Sequence, residues 1–110
     1  MRAELVICST CDPDASHAPL EDALREADLP VRLARQACLN ACGAPVAVAL
    51  QGEGLATYVF GAVDPASDAG DIVATVRAWL NAPEGWIEDA RACGRLRHCL
   101  RARVRAMGSR

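Results

Sequence analysis

The chain has 110 residues, 52% hydrophobic and 24% charged, enough for one core and too apolar for a disordered chain. No apolar run approaches the ~20 residues of a membrane-spanning helix, and the start before Leu5-Val6-Ile7 has no secretory pattern. There is no lysine, which excludes a Walker-type phosphate loop and a Schiff-base lysine. These features predict a cytoplasmic protein with reduced thiols and no membrane partner. The net charge of −2 hides an asymmetry: residues 1–90 hold all 14 acids against five arginines, and residues 91–110 hold seven arginines and no acid. An acidic body of this kind repels nucleic acid, while the basic end suits an acidic surface or folds back on the body itself.

Leu5 to Ile7 predicts a short buried strand ending at Cys8. A polar loop follows over residues 9–17. Leu20, Ala23, Leu24 and Ala27 recur at i, i+3, i+4 and i+7, the spacing of one helix face, and Pro30 stops that helix. A second strand begins at Val31–Leu33 and reaches toward Arg35. Pro45 closes the next loop, and Val46–Leu50 is an apolar run fit for a central strand. The turn Gln51-Gly52-Glu53-Gly54 and the return strand Ala56–Phe60 predict a hairpin. Gly61 and Asp64-Pro65 are expected to end the sheet, and Asp64 or Ser67 to cap the following helix. Ile72, Val73, Val76, Trp79 and Leu80 give that helix its apolar face, and Asn81 and Pro83 end it. Leu96, Leu100 and Val104 at i, i+4 and i+8 predict a last short basic helix.

The predicted fold is α/β, a thioredoxin-like small mixed sheet in the order strand–helix–strand–strand–strand–helix. A basic C-terminal tail or short helix follows. Residues 1–90 form the domain, and residues 91–110 are an arginine-rich tail of the same domain.

Four of the six cysteines form two close pairs, Cys8-x-x-Cys11 and Cys38-x-x-x-Cys42. A strand–helix–strand unit makes its two strands parallel. Their carboxyl ends then share one edge, where open α/β sheets place ligands. Four thiolates gathered there repel one another unless a cation neutralises them. Soft thiolates select zinc or an iron–sulfur cluster. A 2Fe–2S cluster takes one pair per iron, which suits pairs on two loops. Zinc sites more often use two Cys-x-x-Cys knuckles, and here the second pair is one residue wider.

The two strand-delivered pairs, the stretch Cys38-Leu39-Asn40-Ala41-Cys42-Gly43-Ala44-Pro45-Val46 and this element order resemble the thioredoxin-like 2Fe–2S ferredoxins. Over the body to about Asp89 the chain is also similar to a family of small bacterial proteins described as metal-binding. Members share Val6-Ile7-Cys8-Ser9-Thr10-Cys11, the Cys38–Pro45 loop, and Tyr58-Val59-Phe60-Gly61 with Asp64-Pro65. The resemblance implies that Cys8, Cys11, Cys38 and Cys42 ligate the cluster. It also implies a redox partner protein, a homodimer, and genes beside cobalamin-synthesis and metal-handling genes. The first pair is closer together than in the wider ferredoxins.

The leading expectation is therefore a one-electron carrier, not an enzyme, with a potential of about −400 mV. Rival expectations are a zinc-binding or metal-delivery module linked to cobalamin synthesis, and a thiol–disulfide oxidoreductase using Cys8 and Cys11. The third is weakened because Pro13 and a loop separate that pair from the helix N-terminus. Cys93 and Cys99, six apart on an expected helix, point about 120° from each other and read as free thiols. His17 and His98 read as loop and exposed residues, and Trp79 and Trp86 as packing residues. Asp12 and Asp14 read as an acidic rim that steers a donor.

Overall fold

The computed structural model describes residues 3–8, 18–36 and 46–107. In chain order the elements are β1 (Ala3–Cys8), α1 (Ala18–Glu26), β2 (Arg32–Gln36), β3 (Val46–Gly52), β4 (Leu55–Val63), α2 (Ala69–Asn81) and β5 (Leu100–Val104). Short 3-10 segments at Pro83–Gly85 and Ala90–His98 lie between α2 and β5. The sheet order is β2-β1-β3-β4-β5. β1 and β2 run parallel, and every other neighbouring pair is antiparallel. The expected crossover, hairpin and closing helix are thus present in a mixed α/β sheet.

The period of two along the strands divides the sheet into two unlike faces. Leu5, Ile7, Val48, Leu50, Tyr58 and Phe60 face one way. They meet Leu20 and Leu24 of α1 and Ile72, Val76 and Trp79 of α2 in one buried cluster. α1 presents Leu20 and Leu24 at i, i+4, so its buried stripe is narrow. The chain leaves α1 through Asp28 at φ 53°, a left-handed position that aspartate tolerates better than most residues, and Pro30 prevents further helix. Trp79 is wholly buried and its indole Nε1–H donates to the Ala56 carbonyl at 2.8 Å.

Three expectations need correction. The final element is not a helix: Ala90–His98 forms 3-10 turns and Leu100–Val104 is a fifth strand beside β4. Residues 100–105 alternate apolar side chains with Arg101, Arg103 and Arg105, a period of two that the i, i+4 spacing of the leucines conceals. Pairing with β5 also satisfies backbone groups that β4 would otherwise expose at its edge. Gly61 does not end β4. The strand continues to Val63 through a bulge, with Ala62 at φ 57°, and the Gly61 amide donates to the Cys99 carbonyl at 2.9 Å. Neither Asp64 nor Ser67 caps α2. Its N-cap position is Asp68, with no side-chain capping bond, while Asp64 Oδ1 accepts from the amides of Ala66 and Ser67 in the turn before it.

Candidate functional site

The parallel register of β1 and β2 sets Cys8 opposite Gln36. β1 and β2 thus end at two adjacent points of one edge. β3, which starts at Val46, runs antiparallel on the other side of β1. Cys8 is buried, only 1% exposed. Leu5 and Ile7 belong to the helix-packed cluster, so by strand alternation Cys8 shares the opposite face with Val6. Cys11, Cys38 and Cys42 lie outside the described residues, as do Asp12, Asp14 and His17. Among the described residues no three His, Cys, Asp or Glu side chains gather into a metal site, so a four-thiolate centre needs the cysteines beyond Cys8.

A second polar construction stands where β4 ends. Arg95 Nε donates to Asp68 Oδ1 at 2.9 Å and Nη2 to Asp68 Oδ2 at 2.5 Å, a two-pronged ion pair. Nη2 also donates to the carbonyl of the bulged Ala62 at 2.7 Å, and Asp68 Oδ2 accepts the Asp64 amide at 2.9 Å. The Arg95 hydrogen bond holds the Asp68 carboxyl below its ordinary value, against the opposing effect of burial. Asp68 in turn raises the Arg95 guanidinium. Asp64 is also lowered, by the amides of Ala66 and Ser67. This cluster fastens the 3-10 segment to the bulge and the α2 N-terminus. Every carboxylate in it already has donors, which reads as structural.

Residues 5–106 match the family described as "Protein of unknown function (DUF1636)". The chain belongs to that family. No curated protein and no solved structure matches it. The match extends past β4 to Ala106, so the family's shared domain includes the 3-10 segments and β5.

Cys93 and Cys99 are free and buried, each 3% exposed, within the helix-side cluster. Cys99 Sγ donates weakly to the Arg95 carbonyl at 3.6 Å, and the Cys93 carbonyl accepts from the Thr75 hydroxyl at 3.4 Å. Their reading as free thiols agrees with the structure. His98 is exposed, Trp79 is core, and Trp86 packs against the core beneath Arg103, whose guanidinium carbon lies 4.1 Å from the ring centroid. A groove of about 730 Å³ opens at the far end of the sheet, beside Glu4, Arg32, Gln51 and Glu53. It offers carboxylates and a guanidinium, but none of the residues lining it is a soft metal ligand. The Asp68–Arg95 pair escaped sequence reading because 27 residues separate its members. Among the described residues no helix is long and apolar enough to cross a membrane.

Proposed function

We propose that the protein is a one-electron carrier whose Cys8, Cys11, Cys38 and Cys42 hold a 2Fe–2S cluster. The observation that supports this is the Cys8–Gln36 register. The two cysteine-bearing segments begin at paired neighbours on one sheet edge. Cys38 follows Gln36 by two residues, a tether of at most ~7 Å between Cα atoms. The donor set fits the group chemically: soft thiolates suit iron–sulfur ligation, and the burial of Cys8 keeps water from its sulfur. When bound, the cluster supplies reversible one-electron chemistry at that edge. The chain's own contribution is to fix Cys8 at the end of a strand held on both sides by β2 and β3, exclude solvent there, and present a docking surface. An acidic body selects a basic redox partner. Zinc bound by the same thiolates is the alternative that the test must separate.

The test is anaerobic purification, a visible spectrum before and after dithionite, and elemental analysis. A red-brown protein that bleaches on reduction, with iron and sulfide in equal amounts, is expected. Cys42→Ala is expected to abolish the colour and Cys99→Ala to leave it. A colourless protein with stoichiometric zinc would replace the cluster by a metal-delivery role. Colourless, metal-free protein with a reversible Cys8–Cys11 disulfide would replace both.

A further inference from the structure

The exposed large hydrophobic residues among those described are Leu100, Val104 and Met107, with exposures of 38%, 60% and 99%. All three lie on β5 or just beyond it. Arg101, Arg103 and Arg105 interleave with them, and among the described residues no carboxylate lies within ion-pair distance of any of the three. β5 is the outer strand of the sheet and all five of its residues are exposed. β2, the opposite edge, has none of the exposed large hydrophobics. Surplus positive charge and surplus apolar surface therefore coincide on a strand whose outer backbone edge has no neighbour among the described residues.

We propose that β5 accepts an extended segment of another protein, alternating acidic and apolar side chains, as an added antiparallel strand. The register across the sheet supports this form of pairing. Ala34, Val6, Ala49, Val59 and Ala102 pair in sequence across all five strands, an apolar row on the face away from the helices. An apolar residue placed outside Ala102 extends that row, and acids on the alternate positions meet Arg101 and Arg103 across the strands. Backbone hydrogen bonds supply the attachment and the side-chain alternation supplies the choice of partner. A second copy of this chain fits poorly: antiparallel β5–β5 pairing sets the arginines of both copies opposite one another on one face. Nucleic acid is disfavoured by the exposed Leu100 and Val104 and by the acid excess of residues 1–90. Near Arg105 the charge is mixed, because Glu84 and Glu88 line the same groove. Arg101 and Arg103 are therefore the main contacts for acids.

The probe is a fluorescein-labelled peptide of about eight alternating Val and Glu residues, the length of an ordinary strand, titrated with the full chain by fluorescence anisotropy. Three comparison probes are the same peptide with Gln for Glu, an equally charged peptide with Pro at alternate positions, and a single-stranded RNA of similar length. The Val/Glu peptide is expected to bind, to slow amide hydrogen exchange across residues 100–104, and to change Trp86 emission through Arg103. Arg101→Glu combined with Arg103→Glu should weaken it about tenfold or more, with a retained cooperative urea transition showing that the fold persists. Equal binding of the Gln or Pro peptide, tighter binding of the RNA, absence of binding, or unaltered exchange in β5 would each overturn the proposal.

Discussion

Gly85 is a position where buried neighbours leave no room for a side chain, and the cost of adding one can be worked from those neighbours. Its φ is +71°, and a Cβ there would lie 2.7 Å from Trp79 Nε1 and 2.9 Å from the Ala56 amide nitrogen. The left-handed conformation alone costs an L-residue about 1–2 kcal/mol. The steric part adds to this. Trp79 is fully buried and its Nε1–H is committed to the Ala56 carbonyl at 2.8 Å, so neither atom can yield without losing that bond or distorting β4. Overpacking of this kind costs about 1–3 kcal/mol, and an orphaned buried donor a similar amount. With one of these steric costs added to the conformational one, Gly85→Ala is expected to destabilise by about 2–5 kcal/mol, out of the ~5–15 kcal/mol that such domains possess. Gly54→Ala isolates the conformational part, because Gly54 has the same φ of +71° and nothing within 4 Å of the added carbon. Urea unfolding with linear extrapolation measures both variants. A Gly85→Ala loss within ~0.5 kcal/mol of the Gly54→Ala loss would refute the claim that Trp79 and Ala56 close this corner.

Tyr58→Phe removes the hydroxyl oxygen that accepts the Ile87 amide at 2.8 Å, leaving a buried donor unpaired. The expected loss is about 1–3 kcal/mol by the same unfolding assay. Acid should destabilise the protein through its depressed carboxylates. Asp64, Asp68 and Asp89 lie below the ordinary 3.8 in the folded chain, with Asp89 lowered to about 2 by Arg91. Their stabilising contribution is fully present above the unfolded value and is lost as pH falls through the folded values. The urea midpoint should hold down to about pH 4 and fall below it. Asp68→Asn should make that fall shallower.

The β1–α1–β2 unit and the hairpin were legible because their apolar residues repeat with the period of the element they form. Leu20 and Leu24 are buried as the helix spacing requires, and Val46–Leu50 is buried throughout as a central strand. β5 was obscured because Leu96, Leu100 and Val104 satisfy a helical repeat while residues 100–105 also satisfy a strand repeat. What decides between them is the open edge of β4, a tertiary fact. The bulge at Ala62 and its clamp by Arg95 were hidden for the same reason: a non-glycine residue at positive φ has no local signature, and its partner lies 33 residues away. For the candidate site, the parallel-strand rule led from sequence to the edge shared by Cys8 and Gln36. It does not reach Cys11, Cys38 and Cys42, which lie outside the described residues.

The face on which Cys8 sits has a consequence for any centre it holds. Ile7 pairs with Val48 on the helix-packed side, and extending that antiparallel register by one residue puts Ala47 beside Cys8 on the other side. Ala47 is wholly buried, so Ala47→Val adds volume on the face that carries Cys8, at an overpacking cost of about 1–3 kcal/mol. Ile7→Val is its counterpart one residue away on the opposite face, where it opens a small gap against the core at about 0.5–1.5 kcal/mol. Both variants lower the urea midpoint, but only Ala47→Val should shift the visible spectrum or reduction potential of the loaded protein. If Ile7→Val perturbs the spectrum and Ala47→Val leaves it unchanged, the centre lies on the helix side of the sheet, and strand alternation does not set the position of the bound group.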